Sequence, residues 1–177
     1  MIGVDPNPAM FPFLERRAAK EGCPVRPVLG RAEALPVDTG SVDVVVGTLT
    51  MCSVDDVLGS LREIQRVLRP GGKYLFSESP PRQEPLPLPP PPSPVGKALM
   101  PWPAVPAVEH VRARTTGLAF AQAVLEPLQV AAADGCHLTR ETGKTIQAAG
   151  FKSVELREMT LPVFPLISPH VVGVAMR

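Results

Sequence analysis

Residues 41–77 constrain the fold more than any other stretch of this chain. Val42, Val44, Val45, Val46 and Leu49 crowd into residues 41–49. A β-branched run without polar alternation predicts a strand buried on both faces, as in a parallel sheet. Ser53 and Asp56 follow at the spacing of a capping box, with Asp in place of the usual Glu, and predict a helix opening at Ser53. Val57, Leu58, Leu61, Ile64 and Leu68 then form an apolar stripe at helical spacing. Arg66 and Arg69 sit where cations suit the negative end of the helix dipole. Pro70-Gly71-Gly72 predicts the stop, and residues 73–77 return as a strand. Strand, helix and strand with short joints make a βαβ unit, whose crossover is almost always right-handed.

The flanking segments extend this α/β pattern. Residues 2–5 resemble the end of a buried strand, closed by the turn Pro6-Asn7-Pro8. Residues 10–20 predict a helix with Pro12 in its first turn, where a missing N–H does least harm. Residues 25–29 predict a short strand, and residues 30–36 a loop. Residues 118–130 predict a weakly amphipathic helix interrupted by Pro127. Residues 139–149 predict another, capped by Thr139 and ended by Gly150. Residues 154–160 and 171–176 predict two strands. Between the halves lies the abnormal feature of the composition. Many of the chain's 23 prolines fall within residues 79–108, with the run Leu86-Pro87-Leu88-Pro89-Pro90-Pro91-Pro92. Such a run cannot form a helix or a central strand and predicts a disordered or polyproline II insertion. The expected organisation is therefore residues 1–78, an insertion at 79–108, and residues 109–177.

Length and charge exclude several classes. A chain of 177 residues suits one domain. A net charge of +1 offers no field for nucleic acid or an acidic membrane. No apolar run reaches the length of a spanning helix, and the first residues do not resemble a signal peptide. Cys23, Cys52 and Cys136 are odd in number and in no metal-ligand spacing, so neither a disulfide framework nor a metal site is expected. A reducing, cytoplasmic compartment fits them.

The candidate site residues each have a bland alternative. Asp5 closes a strand, where an acid can accept from both ribose hydroxyls of a nucleoside cofactor. It can equally be a turn-forming Asp before proline. Glu33 lies in a loop that could border an adenine, or is a solvated charge. Cys52 could face a cleft, but a lone cysteine is more often a small buried hydrophobe. His110 and His137 invite a general-base role. Neither has a partner identifiable in the sequence, and His110 beside Glu109 is the better candidate. The proline run could meet an SH3 or WW domain.

Together Val4-Asp5, residues 30–36, Ser41-Val42-Asp43 and residues 66–72 resemble class I S-adenosylmethionine (SAM)-dependent methyltransferases of the type 11 group. Val4-Asp5-Pro6-Asn7-Pro8, Cys52-Ser53-Val54, Glu109-His110-Val111 and residues 134–142 are similar to the methyltransferase-like protein seven family. That family contains thiol S-methyltransferases of the endoplasmic reticulum and lipid droplets. The resemblance implies a Rossmann-like sheet that binds SAM across its strand ends. Asp5 would hold the ribose, Ala32 and Glu33 would flank the adenine, and Thr48 would lie near the methionine part. A small thiol would be the acceptor. It also implies that the chain opens at the family's second strand, so that the sheet is incomplete. The membrane anchor, first strand and glycine-rich loop would then lie outside it. Arg31 stands where related enzymes often carry an acid facing adenine. Two other expectations stand beside this one: a catalytically dead isoform acting through protein contacts, which the missing glycine loop favours, or a methyltransferase for an oxygen or carbon acceptor.

Overall fold

A computed structural model describes residues 1–76, 109–110, 112–160 and 169–177. The expected proline-rich insertion, residues 79–108, lies outside these residues.

Among the described residues the strands form two sheets. Strand β1 (Ile2–Asp5) pairs in parallel with β2 (Arg26–Leu29). Between them run a short 3-10 turn, Pro8–Met10, and helix α1 (Phe11–Lys20). Asn7 caps that turn, its side-chain oxygen accepting from the Ala9 N–H at 3.0 Å. Pro12 sits in the first turn of α1, as its sequence position predicts.

The second sheet has five strands. Strand β3 (Val42–Gly47) pairs in parallel with β4 (Leu68–Phe76) across helix α2 (Val57–Val67), which is the expected βαβ unit. Strand β7 (Pro169–Met176) runs antiparallel to β4, to the short β5 (Glu109–His110) and to β6 (Ser153–Thr160). Helices α3 (Thr116–Ala132) and α4 (Thr142–Ala148) lie between β5 and β6 in the chain. Leu61 and Ile64 of α2, Tyr74 and Phe76 of β4, Ile146 of α4 and Val171 and Ala175 of β7 build the core. No helix among the described residues is long and apolar enough to cross a membrane.

Several local expectations change. Helix α2 opens at Asp56, not Ser53: the Asp56 carboxylate accepts from the Gly59 N–H at 2.9 Å. Both residues are good caps, and the one whose carboxylate reaches the first turn wins. Pro70, Gly71 and Gly72 do not lie beyond the helix as a bare stop but inside β4. The partner of Val42 is Leu68 and that of Val44 is Lys73, so the extra residues bulge out. Gly71 has φ +78°, and a Cβ on Gly72 would stand 2.9 Å from the Arg69 carbonyl oxygen. Helix α3 runs through Pro127 without a break. The proline forfeits a bond to the Ala123 carbonyl, but Ala123 is exposed and water can serve it. Helix α4 starts at Thr142, and Thr139 is not its cap.

The clearest correction concerns β3. Its valines predict burial on both faces, yet Val44 is 47% and Val46 64% exposed. Val45 alone of the three packs against the core. Among the described residues β3 has β4 as its one strand neighbour, and β1 has β2.

A polar clasp joins the β1–β2 pair to the larger sheet. The Arg66 guanidinium donates to the Leu35 and Val37 carbonyls, each at 2.9 Å, and pairs with both carboxylate oxygens of Glu63. Glu63 also accepts from the Leu35 N–H at 2.9 Å. The Arg66-to-Gly72 motif thus fixes the course of the loop after β2 as well as the turn into β4.

Candidate functional site

In open α/β sheets, ligands collect beyond the carboxyl ends of parallel strands. Here β1, β2 and β3 end at Asp5, Leu29 and Gly47. Asp5 itself, and the loops after β2 and β3 with Ala32, Glu33 and Thr48, supply the four residues expected to hold a cofactor. The Glu33 carboxylate accepts from the Asp55 N–H at 2.8 Å. The loop after β2 is therefore tied to the loop after β3, and the strand ends share one rim.

Asp5 is half-buried and serves its turn with one oxygen. Its Oδ1 accepts from the Asn7 N–H at 2.7 Å, while Oδ2 has no partner among the described residues. The turn-forming reading and the ligand reading are therefore compatible. Asp5 also borders an open hollow of about 380 Å³ between β1 and α1, floored by Met10, Phe11 and Leu14.

Ala32 is half-buried and packs against the core cluster. Glu33 spends its carboxylate on protein. Besides Asp55 it reaches the Asp56 N–H at 3.4 Å and lies 3.7 Å from Arg31. Burial raises the pKa of this carboxyl, but backbone hydrogen bonds and Arg31 outweigh burial and hold it below its ordinary value. Arg31 is itself paired with Asp55. The Glu33 carboxylate is thus engaged with protein rather than free. Thr48 is exposed just past β3, and its carbonyl accepts from the Thr50 hydroxyl at 3.2 Å.

Residues 48–56 form the wall of the rim. Leu49 takes φ +50°, an unusual conformation for a side chain of that size. Met51 and Cys52 are buried. The Cys52 thiol donates to the Leu49 carbonyl at 3.4 Å, which suits the reading of a small buried side chain. Residues from far along the chain hold this wall. Arg140 donates to the Met51 carbonyl at 2.8 Å and the Val54 carbonyl at 2.7 Å. The His137 N–H donates to the Cys52 carbonyl at 2.8 Å.

His137 has a partner that the sequence does not reveal. Its Nδ1 lies 2.8 Å from Glu126 Oε1 on α3. Burial raises the pKa of Glu126, but hydrogen bonds from Thr139 and His137 dominate and hold it below its ordinary value. His110 falls on β5, in register with His170 of β7, and its side chain lies outside the described residues. Glu126, His137 and Arg140 escaped local pattern reading because their contacts span 11, 85 and 89 residues. The one available signal was the dense motif at residues 134–142. Among the described residues no three His, Cys, Asp or Glu side chains form a metal-holding group.

Comparison with known proteins fits this geometry. Residues 1–76 match the model of a family described as a methyltransferase domain. Over 179 residues the chain is 34% identical to human thiol S-methyltransferase TMT1A, covering 98% of this chain and 61% of that protein. Over 178 residues it is 34% identical to rat thiol S-methyltransferase TMT1B, with the same two coverages of 98% and 61%. The chain thus spans about 61% of the length of these relatives. A solved SAM-dependent methyltransferase from Thermotoga maritima, a possible histamine N-methyltransferase, superposes with a TM-score of 0.56 at 20% identity. It covers 98% of this chain and 72% of its own. At that identity the likeness concerns the fold, which is Rossmann-like α/β.

Proposed function

We propose, from the match of residues 1–76 to the methyltransferase-domain family and the likeness to thiol S-methyltransferases, that the chain binds SAM and methylates small thiols. The observation that carries the proposal is the shared rim at the ends of β1, β2 and β3, with Asp5 keeping one carboxylate oxygen open. That oxygen suits the ribose hydroxyls of SAM. Ala32 and the Glu33 backbone would border the adenine, and Thr48 the methionine part. SAM, when bound, supplies an electrophilic methyl group. The chain's own task is to position the acceptor and keep its sulfur deprotonated. A thiol meets the second need more readily than a hydroxyl does. The 34% identity to proteins named thiol S-methyltransferases supports sulfur over oxygen or carbon. The free cysteines favour a reducing compartment. The family resemblance makes that the cytosol or the cytosolic face of the endoplasmic reticulum, and recovery from a secretory lumen would refute it.

Calorimetric titration of SAM into the chain tests the cofactor site. The expected result is saturable binding, weakened by Asp5→Ala about tenfold to a hundredfold, the worth of a hydrogen bond to a charged group. A folded sample that gives no heat at millimolar SAM would overturn the proposal. Transfer to a phenol but not to the matching thiophenol would overturn the choice of acceptor.

A further inference from the structure

Glu126 and His137 do more than strap α3 to the loop before α4. We propose that they form a proton-accepting pair for the acceptor thiol, with His137 as the base and Glu126 as the positioning residue; this rests on the methyltransferase reading above. Three observations converge on it.

The first is the tautomer. With the Nδ1–H donated to the Glu126 carboxylate at 2.8 Å, the lone pair of a neutral imidazole lies on Nε2. Nε2 has no partner among the described residues, and the His137 side chain is 34% exposed. A purely structural histidine more often has both nitrogens engaged. The second is location. The His137 N–H is bonded to the Cys52 carbonyl, in the loop that leaves β3 at the ligand-binding rim. The His137 imidazole is partly exposed there, whereas the Cys52 and Cys136 thiols are buried. The third is the setting of Glu126. Its side chain is only 19% exposed and its Oε1 lies 2.8 Å from Nδ1, so the carboxylate fixes the orientation of the ring.

The step balances simply. The S–H bond of the acceptor breaks, its electron pair stays on sulfur, and the proton forms a bond to His137 Nε2. The thiolate then takes the methyl group, and the imidazolium later releases its proton to water.

The test compares an alkyl thiol with an electron-poor aryl thiol, using the full chain and its His137→Gln and Glu126→Gln variants. Thermal unfolding and circular dichroism verify that each variant is folded. The alkyl thiol is mostly protonated at neutral pH and needs the base; the aryl thiol is already ionised. His137→Gln should lower kcat on the alkyl thiol about a hundredfold, within the usual range for general-base catalysis, and on the aryl thiol about threefold or less. Equal losses on both thiols would mean a structural role and overturn the pair's chemistry alone. A wild-type chain that methylates neither thiol would overturn the functional reading and this role with it. A second measurement needs no turnover. Nitrogen-15 NMR at a pH where the histidine rings are neutral should find the His137 proton on Nδ1, a preference lost in Glu126→Gln. A ring protonated on Nε2 instead would refute the proposal.

Discussion

Gly173→Ala is expected to leave little folded protein. Gly173 lies in β7, where β6 runs alongside through the pair Leu156 and Gly173, and β4 through Phe76 and Gly173. A Cβ at this position would collide with the Glu155 carbonyl oxygen, stand 2.6 Å from Phe76 Cζ and 2.9 Å from Leu156 Cα. The phenyl ring could swing aside only by disturbing the core, where Phe76 is fully buried. The two backbone atoms cannot move without opening the β6–β7 ladder. Overpacking with some freedom to relax costs about 1–3 kcal/mol, and here relaxation is blocked, so a loss of about 3 kcal/mol or more is expected. Whole domains hold only about 5–15 kcal/mol. Urea unfolding checks this, and a midpoint equal to that of the wild type would show that the strands part more easily than the packing implies.

Leu61→Ala should cost nearly as much by the opposite route. Leu61 lies on the inner face of α2 with no exposed surface, within the cluster that includes Ile64, Tyr74, Phe76 and Ile146. Truncation leaves a cavity among side chains from four elements, and Leu→Ala in such sites costs about 2–5 kcal/mol. The neighbouring Leu58 supplies the control. It belongs to the same apolar stripe of the sequence, yet it is 44% exposed. Leu58→Ala should change stability by about 0.5 kcal/mol at most. The pair of denaturation curves therefore separates burial from mere hydrophobicity. Similar losses at both sites would indicate that Leu58 is covered in solution.

The two leucines also show what local sequence encodes. Periodicity located the helix and its apolar stripe, but not how far the cover extends. The same limit explains β3. Three successive valines encode a strand because branched side chains suit a pleated backbone. Burial depends on what lies over each face, and Val44 and Val46 face outward here. The helix α2 start moved from Ser53 to Asp56 for a comparable reason. Both residues can cap, and the choice was settled at a distance, by Glu33 binding the Asp55 and Asp56 amides and Arg140 holding the Val54 carbonyl. In the candidate site, Asp5 and Thr48 could be named as candidates because Asp5 ends one strand and Thr48 directly follows another. Glu126 and His137 were not. A helix, a turn with Asp134 and Gly135 at positive φ, and the wall after β3 must all be in place before the carboxylate and imidazole meet.

The clasp between the two sheets has an energetic consequence. Among the described residues, strands β1 and β2 have only each other as partners, and in the unit they form with α1 a single residue, Ala18, counts as buried core. A two-stranded pair with so little covered surface is marginal by itself. Besides the packing of Ala32 and Leu35 against the core, it is held to the larger sheet through Arg66, Glu63 and Glu33, polar contacts that water can replace. The unit should therefore open locally, at a small fraction of the free energy needed to melt β4 and β7. Asp5 rides on this loosest unit, so a ligand gripped there would have to hold the unit shut, and part of its binding energy would be diverted into tightening the protein.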